Sequence, residues 1–170
     1  MTEQTIVWRT IEEYPSYSVS SAGEVRNDET GRILSPGKGK NGYFTVTLCK
    51  DNKSKSQLVH RLVALHFIPN PGSKRCVDHS DGNPLNNKIE NLRWATHREN
   101  CANSKMQSNN TSGIKGVHWY KRDSKWQVYI RIEGVSTHLG YFATLEEATS
   151  VRRAAAQEHF GEFCHSSEKN

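Results

Sequence analysis

The sequence predicts an α+β fold: an N-terminal antiparallel sheet that leads into a compact strand–loop–strand–helix unit, then a linker, then a three-stranded antiparallel sheet packed on one helix. Three observations support this prediction. Short strand-like runs alternate with Asn, Asp and Gly turns in the first third. Two capping boxes, Thr96–Glu99 and Thr144–Glu147, each indicate the start of a helix. Residues 105–111 are polar and apolar-poor, which is typical of a linker.

The N-terminal sheet is predicted from four runs, namely Tyr17–Ser20, Gly23–Arg26, Arg32–Leu34 and Tyr43–Leu48. The pairs Asn41-Gly42 and Asp51-Asn52 are predicted turns. We expect the connecting loops to present long cations to a phosphate backbone: Lys38, Lys40, Lys50, Lys53 and Lys55.

The next predicted element is a short helix over Leu58–Phe67, where apolar residues recur at helical spacing and end before Pro69. An apolar approach at Cys76-Val77, a polar loop over 81–87 and a strand over Asn91–Ala95 follow. The first capping box then predicts a helix to about Ser104. The predicted unit is therefore strand, loop, strand, helix.

The C-terminal region is predicted to hold three strands, at Gly116–Tyr120, Lys125–Ile132 and Thr137–Phe142, and a helix that Gly161 ends. Leu145, Ala148, Val151, Ala155 and His159 are expected to form its apolar stripe. By period-two alternation, one face of the central strand packs on the helix. The opposite face, which is basic and aromatic, is predicted to stay uncovered: Lys125, Gln127, Tyr129 and Arg131.

Charge and composition exclude some classes of protein. With 34% hydrophobic residues, a mean hydropathy of −0.78 and no apolar run near the ~20 residues that span a bilayer, we expect no membrane partner. Residues 1–10 lack the pattern of a secretory signal. Positive charge concentrates in residues 31–76, with nine Lys/Arg against one Asp, and in 102–140, with six against two. Such clustering indicates a polyanionic partner, although a solvated basic surface is the alternative.

The four cysteines are far apart and form no Cys-x-x-Cys pair, so no structural zinc is expected. We expect them to be reduced and mostly buried.

Asp78, His79 and Asn100 could together supply phosphodiester hydrolysis. His79 would act as the general base that activates water, and Asp78 and Asn100 would be oxygen ligands to one divalent cation, Mg²⁺ or Mn²⁺. An isolated Asp-His pair is more often structural, and neighbouring residues on a regular strand point to opposite faces. Asp78 and His79 can therefore serve one site only if the strand ends or bulges there.

The run Val77–Asn83, then Asn86-Asn87, Asn91–Thr96 and Glu99-Asn100, resembles the HNH signature of phage and intron-encoded homing endonucleases. The resemblance implies a compact ββα-metal core. In it His79 is the base, Asp78 and Asn100 hold the metal, and Asn91 pins the loop between the strands by hydrogen bonds. Here Asn100 stands where the family often has a second histidine.

The family resemblance extends upstream, where Trp8–Asn70 looks like the segment that precedes the motif in such enzymes. Near the site, His60 could contact a phosphate because it sits beside Arg61, and Arg61 and Arg93 are further expected DNA contacts. A location in the cytoplasm of a bacterial host or phage-infected cell is expected.

Residues 112–163 resemble the DNA-binding domain of plant APETALA2 and ethylene-response factors, in strand spacing and in sheet-plus-helix order. The resemblance implies a sheet that lies in the DNA major groove. This chain has His118 and Tyr120 where the plant proteins commonly have arginines, so no target sequence is carried over. The implied groove-facing residues are Lys115, His118, Tyr120, Arg122, Tyr129, Arg131 and His138.

Together these resemblances predict a site-directed DNA endonuclease that acts on double-stranded DNA. One motif in one chain cuts one strand, so we expect a nick by a monomer, with a dimer as the alternative. A catalytically silent DNA-binding regulator and a non-specific nuclease are the competing hypotheses. The predicted domains are a DNA-contacting β-rich segment at 1–70, the nuclease core at 71–104, the linker at 105–111, the DNA-binding domain at 112–163 and a tail at 164–170.

Overall fold

The computed structural model describes residues 5–169, and its fold mixes small antiparallel sheets with a few helices, as an α+β class predicts. The chain divides into two compact units, Met1–Thr96 and His97–Asn170. Over the described range, none of the helices combines the length and apolar character that crossing a bilayer requires. The domain limits predicted above, including the linker at 105–111, stay a prediction.

The N-terminal unit contains three small sheets, all antiparallel, and one α-helix. The elements of the first two sheets are β1 (Trp8–Ile11), β2 (Tyr14–Ser20) and β3 (Val25–Asn27), then β4 (Gly37–Lys38), β5 (Phe44–Lys50) and β6 (Lys53–Leu58). After them come α1 (Val59–Phe67), β7 (Cys76–His79), a 3₁₀ turn (Ile89–Asn91) and β8 (Leu92–Ala95).

Helix α1 packs its apolar side into the centre of this unit. Leu62, Val63 and Ala64 are buried there, in one cluster with Val19 and Leu48 from the first two sheets. Removing this much apolar surface from water is the main stabilising term for so small a unit. The same cluster reaches β7 and β8 through Val77 and Trp94, so the core holds the later hairpin in place.

Several local predictions are confirmed in this unit, and some are corrected. Helix α1 begins and ends where the apolar spacing predicted, and the Asp51-Asn52 turn has positive φ at both residues, as a tight hairpin turn requires. Two corrections concern strands. Arg32–Leu34 forms only an isolated bridge, Arg26 to Ile33. Four of the five predicted loop lysines lie on strands instead, with Lys38 on β4, Lys50 on β5, and Lys53 and Lys55 on β6.

The C-terminal unit is a three-stranded antiparallel sheet with a long helix against it. Its elements are α2 (His97–Ala102), β9 (Val117–Tyr120), β10 (Lys125–Ile132), β11 (Val135–Phe142), α3 (Leu145–Phe160) and two 3₁₀ turns (Gly161–Phe163 and Ser166–Glu168). The strand order is β11-β10-β9. Val117, Val128 and Ala148 form its buried centre.

The ends of α3 match their predicted signals. Thr144 Oγ1 accepts a hydrogen bond from the Glu147 amide, and Glu147 Oε2 accepts one from the Thr144 amide, which completes a capping box. Gly161 follows the last helical residue with φ of 50°. The predicted apolar stripe is wrong in detail, because the buried residues are Ala148, Arg152 and Ala156. A charged residue thus occupies the middle of the buried face.

Arg152 is buried because the chain beyond α3 supplies its counter-charge. Its guanidinium pairs with the carboxylate of Glu168, and both side chains are almost fully buried. Its Nε also donates to the Lys115 carbonyl at 2.9 Å. Burial raises the pKa of Glu168 while the arginine opposes the rise. Residues 164–169, predicted as a tail, therefore pack against the unit, with Cys164 buried as well.

The cysteines differ from expectation in their burial. None is in a disulfide, but Cys49 and Cys101 are exposed and Cys76 is half-buried, so Cys164 alone of the four is buried. The prediction of mostly buried cysteines is wrong.

The close approach of Arg152 predicts an unusual requirement for glycine at position 116. Gly116 has φ of +78°, and a Cβ there would stand 2.4 Å from the Tyr129 carbonyl and 2.7 Å from Arg152 Nε. We expect Gly116→Ala to lower the free energy of unfolding by about 3 kcal/mol, measured by urea denaturation, since backbone strain and overpacking add. The control is Gly134→Ala, at φ of +84° with nothing within 4 Å. It should lose only about 1 kcal/mol. Equal losses would contradict the role given to the close contact.

Candidate active site

The predicted catalytic residues Asp78 and His79 lie at the end of β7, in the hairpin that β7 forms with β8. The ladder pairs Asp78 with Arg93 and His79 with Leu92. His79 is the last residue of the strand, and a turn follows in which Gly82 has positive φ. The strand therefore ends at His79, and Asp78 and His79 lie opposite different residues of β8.

Asn91 ties down the loop that joins the two strands. Its Oδ1 accepts a hydrogen bond from the Asp81 amide at 3.0 Å, and its Nδ2 donates to Asp81 Oδ1 at 2.9 Å and to the Asn86 carbonyl at 2.8 Å. Its backbone carbonyl accepts from the Ser80 amide at 2.8 Å. These bonds satisfy loop groups that no strand partner could reach. Bonds to Asn83, Asn86 and Asn91 help to hold the pKa of Asp81 below its usual value.

His79 is buried, with 6% of its surface exposed, and Asn87 fixes its ring. The Asn87 Nδ2 donates to the Leu85 carbonyl, which turns Oδ1 toward His79 Nε2 at a distance of 3.2 Å. In the neutral ring Nε2 is then the protonated nitrogen that donates to Asn87. The lone pair of the imidazole consequently lies on Nδ1, the atom that can accept a proton.

A second histidine and a tyrosine pack against His79. The His60 ring stands edge-on to it, with ring centroids 5.2 Å apart, and Tyr43 stacks on it at 5.8 Å. Burial, with smaller contributions from the nearby His79 and Arg61, lowers the pKa of His60 to about 4. Burial also lowers the pKa of His79, against the opposing effects of Asn87, Asp81 and Asp78. Both rings are therefore neutral at pH 7.

The burial of His60 bears on its predicted phosphate contact. Only 6% of its surface is exposed, and its Nδ1 is buried without a hydrogen-bond partner in the described residues. A neutral, buried ring offers a phosphate no cation, so the predicted phosphate contact of His60 would depend on Arg61 beside it. The position of His60 instead fits support of the His79 ring.

The loop after β2 supports Asn87 from behind. Gly23 has φ of +86°, and a Cβ there would stand 2.8 Å from both Cβ and the carbonyl oxygen of Asn87. The Ile89 amide also donates to the Ser21 carbonyl at 2.9 Å. The first sheet thus positions the residue that orients His79.

Asp78 has a carboxylate of the type that hard divalent cations prefer, but it is paired with Arg93. Its Oδ2 accepts hydrogen bonds from Nε at 2.9 Å and Nη2 at 2.7 Å of Arg93. A cation bound at Asp78 would share the carboxylate with this arginine. Within residues 5–169, no three His, Cys, Asp or Glu side chains are arranged to hold a metal ion. The Asp78 carboxylate has the donor chemistry of a divalent-cation ligand, and the predicted DNA contact of Arg93 competes with its ion pair to Asp78.

Asn100, the second predicted ligand, lies on α2 in the C-terminal unit and is half-buried. Its role as a metal ligand stays a prediction.

The predicted phosphate contacts of the N-terminal unit are mostly exposed, as such contacts require. Lys38, Lys40, Lys53 and Lys55 are all exposed. Arg61 is half-buried, donates from Nη1 to the Arg75 carbonyl at 2.9 Å, and lies 5.9 Å from the Trp94 ring.

The sheet of the C-terminal unit presents a polar, aromatic face away from α3. Trp126, Val128 and Ile130 are the more buried residues of β10, as alternation predicted, although the ladder to β11 shifts register after Val128. The other face carries most of the predicted groove contacts, with Arg131 and His138 exposed. Arg122, at the turn between β9 and β10, has an 81% exposed side chain.

Lys115 does not fit its predicted groove contact. Its ammonium donates to the carbonyls of Ala102 and Ser104, at 2.7 and 2.9 Å, and it neutralises the end of α2. Burial lowers its pKa. This cation is engaged inside the unit.

Sequence patterns gave no role to four residues that the structure places at these sites. Asn87 and Tyr43 contact His79, and Gln127 and Tyr141 hydrogen-bond on the sheet face. For Gln127 the alternation signal was available, because it selected the outer face of β10. Nothing in the spacing of Asn87 or Tyr43 indicated contact with a residue on another strand.

Comparison with known proteins finds two family models that match segments between residues 7 and 102. Residues 7–49 match a NUMOD4 motif model, and residues 57–102 match an HNH endonuclease model. The DNA endonuclease I-HmuI of Bacillus phage SP01 is 42% identical over 97 residues, which cover 56% of each protein. An uncharacterized HNH endonuclease, L245, of Acanthamoeba polyphaga mimivirus is 39% identical over 110 residues, 65% of this chain and 32% of that protein.

The match therefore spans about half or less of the length of these curated relatives. A solved structure, described as DNA binding and cleavage by the HNH homing endonuclease I-HmuI, is similar over more of the chain. It is 30% identical with a TM-score of 0.55, and the alignment covers 91% of this chain and 83% of that one. This chain belongs to the phage type of HNH homing endonucleases.

Proposed function

We propose that this protein is a site-directed DNA endonuclease that hydrolyses one phosphodiester bond with His79 as the general base. The observation that carries the proposal is the environment of His79. Its ring is buried, neutral and held by Asn87 so that Nδ1 bears the lone pair. A fixed neutral imidazole can take a proton from water as that water attacks phosphorus. Relatives named as endonucleases support this reaction.

The proposal includes one divalent cation, Mg²⁺ or Mn²⁺, held by Asp78 and Asn100. When bound, such a cation supplies charge stabilisation to the scissile phosphate and the leaving oxygen. Arg93 shares the Asp78 carboxylate and limits how that side chain can move. Asn91 keeps the loop after His79 in one conformation through its bonds to Asp81 and Asn86.

The proposed partner is double-stranded DNA, bound through both units. Exposed lysines on β4, on β6 and between β4 and β5 would contact phosphates: Lys38, Lys40, Lys53 and Lys55. We further propose that the sheet of β9 to β11 acts like an APETALA2 domain in the major groove, with His118, Tyr120, Arg122, Tyr129, Arg131 and His138 toward the DNA. A sheet that packs one face on α3 and leaves the other uncovered supports this assignment.

A single HNH motif acts on one strand, so the expected product of a monomer is a nick in duplex DNA. A double-strand break would require a dimer or a second encounter.

Replacing the base tests the reaction. We expect His79→Ala to bind DNA as the unmodified protein does but to lower the cleavage rate by roughly 100- to 10,000-fold, because the group that would take the proton from the attacking water is removed. The measurement is nicking of supercoiled DNA that carries the sequence flanking the protein's own gene, with Mg²⁺ or Mn²⁺.

The matched control is His66→Ala, a half-buried histidine on α1 whose Nδ1 contacts the Leu62 carbonyl at 2.7 Å. It should cut normally. Equal cutting by His79→Ala and the unmodified protein would overturn the base assignment, and DNA binding without any cutting by the unmodified protein would favour a silent regulator.

Changing Asn87 tests how His79 is positioned. Asn87→Leu removes the acceptor for His79 Nε2–H, so the ring can rotate or change tautomer, and we expect kcat to fall roughly tenfold or more with KM unchanged. Asn87→Asp keeps an acceptor at the same place and should retain more of the rate. The measurement is single-turnover cleavage. A similar loss in both variants would contradict an orienting role.

Neutralising an exposed arginine tests the DNA-binding face. We expect Arg122→Ala to weaken DNA binding and to lower the slope of log affinity against log salt by about 1, since one phosphate contact is lost. The control is Arg98→Ala, an arginine with a 59% exposed side chain in the same unit that pairs with Glu133 at 2.9 Å. An unchanged slope in Arg122→Ala would remove Arg122 from the interface.

A further inference from the structure

Gln127 stands at the centre of the uncovered face of the C-terminal sheet. In the ladder it lies opposite His118 on β9 and Tyr141 on β11. Its side chain is half-buried between aromatic neighbours. Neither Gln127 nor Tyr141 was among the residues that the APETALA2-like pattern placed in the groove.

The Gln127 amide binds two tyrosine hydroxyls at once. Its Nε2 donates to Tyr129 Oη at 2.9 Å and to Tyr141 Oη at 2.8 Å. An amide nitrogen has two hydrogens, so both bonds can form together. Each hydroxyl oxygen then acts as an acceptor toward Gln127, and its single hydrogen must point to something else. Among residues 5–169 neither hydroxyl hydrogen has an acceptor.

The rings that carry these hydroxyls are locked in a row. Tyr120 and Tyr141 have centroids 5.4 Å apart, His138 and Tyr141 4.7 Å, and Tyr129 and His138 4.9 Å. Each ring contacts at least one neighbour, which limits rotation about its side-chain bonds. The two hydroxyls are therefore fixed in place before a partner arrives, which lowers the entropy lost on binding.

The geometry of the row favours groove edges over stacked bases as the partner. Neighbouring rings are tilted by 44° to 60°, so each ring partly covers the face of the next. Base stacking needs an open ring face. This surface instead offers ring edges and hydroxyl donors, beside the exposed cations Lys125 and Arg131, which suit a polyanion.

We propose that Gln127 orients the hydroxyls of Tyr129 and Tyr141 as a pair of outward donors that reads a guanine in the major groove of duplex DNA. Guanine presents two neighbouring acceptors there, N7 and O6, whereas adenine presents one acceptor and a donor. Gln127 is thus a positioning residue, and the two tyrosines touch the base. The proposal rests on the DNA-binding role of this sheet argued above.

The test uses the full chain carrying His79→Ala, so that bound DNA is not cut. Duplexes that this parent prefers are selected from a randomised pool, and affinity is measured for the selected site and for copies with single guanines changed to adenine or to 7-deazaguanine, which lacks N7. We expect Tyr141→Phe and Gln127→Leu each to weaken binding of the selected site by roughly tenfold. For one of the copies in which a guanine has been replaced, both variants should bind as tightly as the parent does.

The matched control is Tyr14→Phe in the N-terminal unit. The Tyr14 hydroxyl also accepts from a glutamine amide, Gln57 Nε2, at 3.3 Å, and its ring is buried in the core. It should keep the preference of the parent for guanine.

Two outcomes would overturn the proposal. If both variants bound every duplex more weakly by the same factor, the hydroxyls would contact phosphates. If both variants kept the preference for guanine, the network would not read bases. If the parent bound all duplexes equally, or none, the proposed role of the sheet would fail instead.

Discussion

The loop between β7 and β8 is the constraint on which the candidate active site depends. Two strands of four residues each cannot hold a dozen intervening residues in one conformation, because most of the backbone groups between them have no ladder partner. The side-chain amide of Asn91 supplies some of the missing partners. It accepts a hydrogen bond from the Asp81 amide and donates to Asp81 Oδ1 and to the Asn86 carbonyl. Asn87 is then held between this loop and Gly23, and it can orient His79. The position of one imidazole is thus set by residues from three parts of the N-terminal unit.

Burial favours the neutral forms of the two neighbouring histidines, His60 and His79. Removing His60 and His79 from water disfavours their charged forms, and the nearby His79 further disfavours the charge of His60. Leaving His60 Nδ1 without a partner carries a desolvation penalty on the order of 1–3 kcal/mol. Such a penalty is tolerated where the surrounding core over-determines the geometry, and α1, which supplies His60, is anchored by Leu62 and Val63. A rigid, neutral and partly unsatisfied environment is typical of a site whose remaining partner is a water or a substrate.

Local sequence signals predicted the elements well and predicted burial less well. The helix over α1, the tight turn at Asp51-Asn52 and the capping box at Thr144 depend on residues within a few positions of each other, so spacing alone indicates them. The predicted stripe left out Arg152, because a charged residue is expected to be exposed, and the APETALA2 resemblance placed Lys115 in the groove. Their partners, Glu168 and the carbonyls that end α2, lie elsewhere in the chain and have no spacing signal. The likeness of Asp78 and His79 to a family motif identified the candidate site, but the motif contained no information about Arg93, Tyr43 or His60 as neighbours.

Under the proposed function, the two units would contact DNA in different ways. Lysines dominate the exposed cations of β4 to β6, and residues 31–76 hold nine Lys/Arg against one Asp. Charges of this kind contact phosphates, supply affinity that falls steeply with salt, and read no sequence. The sheet of the C-terminal unit instead holds two tyrosine hydroxyls and a glutamine amide at fixed positions, which are hydrogen-bonding groups suited to base edges. Salt should therefore weaken the phosphate contacts of the first unit and of Arg122 while leaving the base contacts of the second unit. The ratio of affinities for a chosen and a random duplex should then change much less with ionic strength than either affinity does.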